Sequence, residues 1–203
     1  MQKPRILVFA GPNGSGKSTI TGQYPLVGQY VNADEIEKVL KCDPLLAAKI
    51  ATATREFFLA NGMDFTMESV MSTTRNIELL RMAVEKGYIV MCVYVLTKDP
   101  QINVQRVNKR VLNGAHAVSP RQGETMEDAV KRRYYSAMRL IPDLCKVCSR
   151  ILIFDNTMEK GIGEPALIAE INNGNVTIQP STVWSEEEIQ LLLAGKHLLD
   201  EDG

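Results

Sequence analysis

A run of nine residues near the N-terminus has the composition and spacing of a phosphate-binding loop. The string GPNGSGKST occupies residues 11–19 and satisfies the pattern G-x-x-x-x-G-K-[ST]. In such a loop, backbone N–H groups unhindered by side chains at the glycines surround the phosphates, and the N-terminus of the next helix adds partial positive charge. The string therefore predicts a site for a nucleoside triphosphate with Mg²⁺, formed by Gly11, Pro12, Asn13, Gly14, Ser15, Gly16, Lys17, Ser18 and Thr19.

Two side chains of this loop have the chemistry that phosphoryl transfer requires. We expect the Lys17 ammonium to reach the β- and γ-phosphates and the Ser18 hydroxyl to be a ligand of Mg²⁺. A small-molecule kinase needs two further features: a carboxylate that takes the proton of the acceptor hydroxyl, and mobile positive charge over the transferring group. The sequence offers candidates for both.

Two carboxylates follow the second and third predicted strands. Asp34 lies two residues beyond a strand in VNADEI, and Glu68 lies one residue beyond the next strand in DFTMES. Because strand carboxyl ends in a parallel sheet meet at the edge that carries the phosphate loop, both should project beside it. Asp34 is the candidate catalytic base, and it is expected to bind the substrate together with Glu68, Ser69 and Ser72. Alternatively, Asp34 only caps its helix, or either carboxylate holds a Mg²⁺-bound water.

Positive charge is concentrated in the middle of the chain. Residues 104–150 contain ten Lys and Arg against four Asp and Glu, whereas the whole chain has a net charge of −1. The basic residues of interest are Arg106, Lys109, Arg110, Arg121, Arg132 and Arg133. Helical spacing puts the first three on one face, although a solvated face explains any single arginine equally well. Together they favour a lid that closes over the phosphates, with Arg106 and Arg110 catalytic and with Arg121 and Arg133 binding substrate.

Strands alternate with helices along most of the chain. Apolar runs predict strands at residues 5–10, 30–32, 64–67, 88–96 and 150–155, and helical patterns separate them at residues 33–40, 44–61, 74–86, 100–113 and 124–140. Towards the C-terminus we expect a helix at residues 165–172, a strand at 176–179, and a helix that Ser185 caps. This alternation indicates an α/β fold, a P-loop NTPase three-layer sandwich with a mostly parallel central sheet and a basic lid segment.

Length and composition limit the classes of protein that the chain can belong to. Its 203 residues suit one domain, with the lid at about 99–135 and a C-terminal extension at about 158–203. A net charge of −1 argues against a nucleic-acid partner. The longest apolar run, residues 88–96, is less than half the roughly 20 residues of a membrane helix. The first apolar run is too short for a signal peptide, so we expect a cytoplasmic protein with no membrane partner.

Other nucleotide-binding classes fit less well. A GTPase would read guanine with N-K-x-D, whereas Asn108-Lys109 is followed by Arg110 and Val111. A transporter-type ATPase would carry LSGGQ, which does not occur. The string ILIFD at residues 151–155 is similar to a Walker B strand. Its position as the last strand favours an edge-strand cap or a nucleotide-side contact over a magnesium ligand.

These motifs together resemble the zeta toxin family of P-loop kinases, in particular its shorter, zeta-toxin-like branch, over residues 6–157. The phosphate loop, VNADEI and TMESVMST are similar to the family's N-terminal motifs. RVNKRVLNGAHAVSPRQ with RRYY resembles the branch's lid, and FDNT resembles its Y-D-N-S. One departure is Gly114-Ala115 in place of paired glycines, with Pro120 one position late.

The resemblance implies transfer of the ATP γ-phosphoryl group to a hydroxyl of a UDP-activated amino sugar, and it implies a possible antitoxin protein as partner. It carries over Lys17 and Ser18 as phosphate and metal contacts, Asp34 as the base, and Glu68 as a partner of the sugar or of a magnesium-bound water. Arg106 and Arg110 become lid charges, and His116 and Tyr134 would shape the lid.

Two alternatives remain open at the level of sequence. The acceptor could be another small hydroxyl compound, such as a sugar acid, an antibiotic or a nucleoside. The chain could also be an ATP-dependent interaction module, in which nucleotide binding orders the basic segment for a protein partner and hydrolysis is incidental.

Overall fold

Strands and helices alternate in the computed structural model, which describes residues 2–114, 117–158 and 163–196. The strands are β1 Arg5–Ala10, β2 Gln29–Val31, β3 Phe65–Ser69, β4 Ile89–Leu96, β5 Arg150–Asp155, β6 Ala166–Asn172 and β7 Asn175–Ile178. The helices are α1 Lys17–Thr21, α2 Ala33–Leu40, α3 Pro44–Ala60, α4 Thr74–Glu85, α5 Pro100–Leu112, α6 Met126–Arg139, α7 Ile141–Val147 and α8 Glu186–Leu193.

The described strands form one sheet in the order β2-β3-β1-β4-β5-β6-β7. Neighbours from β2 to β5 pair in parallel, and β6 and β7 continue the sheet in antiparallel fashion. The carboxyl ends of β1, β2 and β3 therefore meet at one edge. The phosphate loop follows β1 and Asp34 follows β2 at this edge, whereas Glu68 lies within the last two residues of β3 and not beyond the strand as predicted. The predicted α/β class with a mostly parallel sheet is confirmed.

Helices cover both faces of the sheet unequally. One face carries the larger hydrophobic cluster, to which α4, α6 and α7 contribute buried side chains such as Leu80, Met138 and Leu144. The other face is covered by α1 and the loop after it, through Ile20 and Tyr24. Burial of each such side chain contributes about 1.5–3 kcal/mol, so the two clusters hold the central strands in place. No helix among the described residues combines the length and apolar character needed to cross a membrane.

The lid segment is a helical hairpin with a small core of its own. Val104 and Val107 of α5 pack with Val118 and with Ala129 and Val130 of α6. Tyr134, near the C-terminal end of α6, is buried and donates a hydrogen bond from its hydroxyl to the Thr97 carbonyl at 2.7 Å. This contact ties α6 to the residue that follows β4. His116 lies outside the described residues.

Two predictions about the C-terminal part are wrong. Residues 166–172 form β6 and not a helix, because pairing with β5 and β7 on either side outweighs the helix preference of Ala, Leu and Glu. Accordingly β5, the Walker B-like strand, is not an edge strand. The Asn173-Gly174 pair with φ values of 47° and 83° forms the tight turn between β6 and β7, a hairpin signal visible in the sequence.

This turn gives a stability prediction. We expect Gly174→Ala to destabilise the protein by about 1 kcal/mol, because alanine is strained at a φ of +83° although a Cβ there would meet no atom within 4 Å. Gly22→Ala is the matched control, since Gly22 has a φ of −68° and its Cβ would meet only the Ser18 carbonyl oxygen at 4.0 Å. Urea unfolding of both variants measures the difference, and equal midpoints would contradict the prediction.

Candidate functional site

The phosphate loop connects β1 to α1 and curls around the Lys17 side chain. Gly11, Gly14 and Gly16 all have positive φ values, which glycine adopts without strain. The Lys17 ammonium is buried and donates hydrogen bonds to the carbonyls of Gly11 at 2.8 Å and Pro12 at 3.1 Å. Because α1 has only five residues, its dipole adds less charge than a long helix would, and the loop's own N–H groups matter more.

The electrostatic surroundings of Lys17 connect it to the two predicted carboxylates. Burial lowers the pKa of Lys17, because the charged form loses hydration. The carboxylates of Glu68 and then Asp34 oppose this shift, and the guanidinium of Arg110 adds to it. Both acids and one lid arginine therefore lie close enough to Lys17 to act on its charge, and all four residues line one cavity.

Asp34 lies in the first turn of α2 and does not cap it. The cap is Asn32, whose side-chain oxygen accepts the backbone N–H of Asp34 at 2.9 Å. The capping explanation for Asp34 is therefore wrong. The Asp34 carboxylate is exposed, lines the cleft, and has no hydrogen-bond or ion-pair partner among the residues that the structure describes. Its oxygens are therefore accessible to a ligand in the cleft.

Glu68 is held in a fixed position at the end of β3. Its Oε2 accepts the Tyr30 hydroxyl at 2.9 Å and the Asn32 side-chain amide at 3.4 Å. Burial and the neighbouring Glu68 raise the pKa of Tyr30, so the phenol remains a donor. One oxygen of Glu68 is thus used internally, which suits a carboxylate that orients a ligand more than one that moves a proton.

Two adjoining cavities of about 300 and 360 Å³ form the cleft beside the loop. Predicted site residues line one or both of them: Asn13, Gly14, Lys17, Asp34, Glu68, Ser69, Arg110 and Arg133. Arg133 donates to the Asn13 side-chain oxygen at 3.4 Å and to the Ser119 carbonyl at 3.2 Å. Burial lowers the pKa of Arg133. The structure therefore brings the loop, both acids and two lid arginines together.

Three predicted site residues from outside the phosphate loop do not line this cleft. Arg106 donates to the carbonyls of Asn156 and Met158, at 2.8 and 2.9 Å, and lines a separate cavity of about 150 Å³ on the other side of the loop. Arg121 is exposed in the lid loop, and Ser72 is half-buried. Neither residue lines a cavity of the cleft. The helical spacing of Arg106 and Arg110 did not predict that their long side chains diverge.

Ser69 lines the cleft, and its hydroxyl accepts hydrogen bonds that stabilise the loop after β3. Its oxygen accepts the Met71 backbone N–H at 3.0 Å and the Asn76 side-chain amide at 2.8 Å. Met71 has a φ of 54°, a strained value for a side chain of this size, which the Ser69 bond helps to hold. Ser69 therefore shapes the loop after β3, and its hydroxyl proton remains available to a ligand.

Arg55 of α3 also lines the cleft, although it belongs to none of the sequence motifs. Its Nη2 donates to the carbonyls of Glu68 at 2.9 Å and Val31 at 3.4 Å, which joins the ends of β3 and β2. Burial lowers the pKa of Arg55 to about 10, and its Nε is enclosed without a partner among the described residues. With Arg75 it lines both the cleft and an adjacent cavity of about 180 Å³.

Asp155, the acid of the Walker B-like strand, is buried in a structural role. Its Oδ1 accepts the Thr157 hydroxyl at 2.5 Å and the Trp184 indole N–H at 3.0 Å. Trp184 belongs to the C-terminal extension, and Lys98 lies over its ring at 4.3 Å. Asp155 lines neither cavity of the cleft, and its hydrogen bond with Trp184 joins the end of β5 to the C-terminal extension.

Comparison with known proteins shows the fold. No family model matches the chain. An uncharacterised protein of Haemophilus influenzae is 29% identical over 136 residues, which are 64% of this chain and 92% of that protein.

Two solved complexes are similar in structure. The AvrRxo1-ORF1:AvrRxo1-ORF2 complex with sulphate ions gives a TM-score of 0.63 at 12% identity over 96% of this chain, which spans 65% of the matched chain. The same complex with ATP gives a TM-score of 0.58 at 13% identity, and the match covers 96% of this chain and 75% of that one. The structure from the PezAT toxin-antitoxin system of Streptococcus pneumoniae gives a TM-score of 0.53 at 15% identity, and the match covers 99% of this chain and 88% of that one. At these identities the likeness shows the fold alone, an α/β fold with a mostly parallel central sheet.

Proposed function

We propose that this protein is an ATP- and Mg²⁺-dependent phosphotransferase that moves the γ-phosphoryl group of ATP to a hydroxyl of a small molecule. The observation that carries the proposal is that Lys17 of the phosphate loop and the exposed Asp34 carboxylate line one cavity. Arg110 and Arg133 line the same cavity from the lid. This is the set of groups that phosphoryl transfer needs: a phosphate cradle, an acid beside it, and positive charge above it.

The residues of the loop fit Mg²⁺ bound with nucleotide. Mg²⁺ takes one or two protein oxygens and completes its shell with waters and phosphate oxygens. Ser18 is exposed in the first turn of α1, one residue after Lys17, and the Asp34 and Glu68 carboxylates line the same cavity as Lys17. The ion would neutralise phosphate charge and orient the β- and γ-oxygens.

In the reaction, Asp34 orients the acceptor hydroxyl and takes its proton as the new oxygen–phosphorus bond forms. The bond between the γ-phosphorus and the bridging oxygen breaks, and ADP leaves with the electron pair. Because the transition state is loose, position and charge matter more than the basicity of Asp34. Arg110 and Arg133 neutralise charge on the transferring group, and lid closure excludes water that would otherwise hydrolyse ATP.

The acceptor that we favour is a UDP-activated amino sugar, as in zeta toxins. The lid string and the fold shared with the PezAT structure support this assignment. The cleft adds a physical reason, because Arg55 and Arg75 line its distal end and suit an acceptor that carries phosphate groups of its own. A protein antitoxin that blocks the nucleotide site is part of the same proposal.

A transfer assay with labelled ATP tests the function directly. UDP-sugars, free sugars, sugar acids, shikimate-like compounds, nucleosides and aminoglycosides serve as acceptors, and the readout is label on the acceptor. Transfer to a UDP-amino sugar supports the full proposal, and transfer to another acceptor supports the kinase but not the substrate. Slow phosphate release with no labelled acceptor contradicts the kinase and favours the interaction module.

Arg75 provides a prediction for the distal end of the cleft. We expect Arg75→Ala to raise the KM for a phosphate-bearing acceptor about 10-fold, because a charge-assisted contact is lost, with the KM for ATP unchanged. Among the residues that the structure describes, Arg75 makes only a loose 3.8 Å contact with Glu56, so its loss should not unfold the chain. Arg81→Ala on the same helix is the control, since Arg81 pairs with Asp143 away from the cleft. An unchanged acceptor KM in Arg75→Ala would remove Arg75 from acceptor binding.

A further inference from the structure

Two asparagines from outside the phosphate loop hold its backbone. The Nδ2 group of Asn103 in α5 donates to the Asn13 carbonyl at 2.6 Å, and that of Asn156 after β5 donates to the Ser15 carbonyl at 2.8 Å. The two accepting carbonyls belong to alternate residues of the loop. Neither asparagine belongs to the G-x-x-x-x-G-K-[ST] pattern, and the fold brings them to the loop from 90 and 141 positions away.

Each asparagine also packs against a glycine of the loop. A Cβ at Gly14 would lie 2.6 Å from the Asn103 carbonyl oxygen, and a Cβ at Gly16 would lie 2.0 Å from the Asn156 Nδ2. Both distances are too short for any side chain. The loop backbone is therefore enclosed between α5 and the segment after β5, and glycine at these two positions is what lets the asparagines approach.

Both asparagines are also tied to the carboxyl end of β4. Asn103 is fully buried, and its side-chain oxygen accepts the Thr97 hydroxyl, which directs Nδ2 towards the loop. The Asn156 backbone N–H donates to the Leu96 carbonyl at 2.8 Å. Thr97 and Leu96 are neighbours at the carboxyl end of β4. Both contacts with the loop thus start from one rigid point next to the central strand.

Because the peptide unit is planar, a contact that fixes a carbonyl also fixes the direction of the N–H of the next residue. In a trans peptide the carbonyl of one residue and the N–H of the next point in opposite directions. A carbonyl of Asn13 directed outward to Asn103 directs the N–H of Gly14 inward. A carbonyl of Ser15 directed outward to Asn156 does the same for the N–H of Gly16. Neither glycine N–H has a hydrogen-bond acceptor among the described residues.

We propose that Asn103 and Asn156 are positioning residues that aim the Gly14 and Gly16 N–H groups at the nucleotide phosphates. The inference rests on the proposed function, because it needs a phosphorylated nucleotide in the loop. Without the asparagines, the peptide units before Gly14 and Gly16 can rotate. The free-energy cost of ordering these N–H donors then lowers the affinity for the nucleotide. Their effect is specific to phosphates, since neither asparagine is proposed to touch the acceptor.

The test uses Asn103→Leu and Asn156→Leu, which keep a branched side chain of similar size and remove the donor without adding charge. We expect each to raise the KM for ATP about 10-fold, as the loss of one preorganised donor implies. The inhibition constant of adenosine, which lacks phosphates, should stay within about two-fold, and so should the acceptor KM. Asn108→Leu is the control, because Asn108 is an exposed asparagine of α5.

The outcomes separate this inference from the proposed function. If the wild-type protein binds no ATP, the proposed function fails. If it binds ATP and both leucine variants bind ATP equally well, the inference is overturned. Equal weakening of ATP and adenosine also overturns it, since that result indicates general damage. Asn156 is only half-buried, so its variant carries the test if the buried Asn103→Leu does not fold.

Discussion

Replacement of Lys17 by alanine is expected to lower kcat/KM for phosphoryl transfer by about 10³-fold or more. The ammonium is buried, and within the described part of the chain it bonds only to two neutral carbonyls, those of Gly11 and Pro12. Phosphate oxygens are stronger acceptors because they are charged, so bound ATP should draw the ammonium from these carbonyls to the phosphates. The alanine variant loses a positive charge from the point where negative charge is transferred. Transfer kinetics with labelled ATP, with calorimetric ATP binding, measures both effects.

Two further variants make the Lys17 result specific. Lys17→Met keeps a long side chain without charge, so an equal loss in both variants shows that charge and not packing is responsible. Lys109→Ala removes an exposed positive charge from the basic segment and should leave activity nearly unchanged. Retention of more than about a tenth of wild-type activity in Lys17→Ala would contradict the role assigned to the phosphate loop.

Most of the sheet was predictable because its signals are local. Apolar runs ended by glycine or polar residues predict β1 to β5 to within one or two residues at most ends. The parallel arrangement then places Asp34 and Glu68 at the edge of the phosphate loop. Residues 166–172 are the exception, because the helix preference of Ala, Leu and Glu favours a helix where the structure has β6. The Asn173-Gly174 turn, which was in the sequence, outweighs that preference.

The parts of the candidate site that were missed depend on distant contacts. Asn103 and Asn156 reach the loop through the fold, and no spacing in the sequence connects them with Asn13 or Ser15. Arg55 had a local signal, since it follows Ala47 and Ala51 in steps of four along the buried stripe of α3. A charged residue on such a stripe must find partners inside, which for Arg55 are the strand-end carbonyls.

The substitution Asp34→Asn is expected to lower kcat by about 10³-fold and to leave the dissociation constant for ATP within about two-fold. Asparagine has nearly the same shape but takes no proton, and the Asn32 cap is preserved because it binds the backbone N–H of residue 34. Positioning of the acceptor by the side-chain oxygen remains, so the loss reports on proton transfer and charge alone. Single-turnover transfer separates the chemical step from nucleotide binding.

Glu35→Gln is the matched control for this experiment. Glu35 is the next residue in the same first turn of α2, is exposed, and lines neither cavity of the cleft. Both substitutions remove one negative charge near the same helix N-terminus, which alters helix stability by about 0.3–1 kcal/mol in each case. Only Asp34 faces the phosphate loop across the cavity, so only Asp34→Asn should lose activity. Equal activity of the two variants would exclude Asp34 as the base and would leave Glu68 as the remaining described carboxylate that lines the same cavity as Lys17.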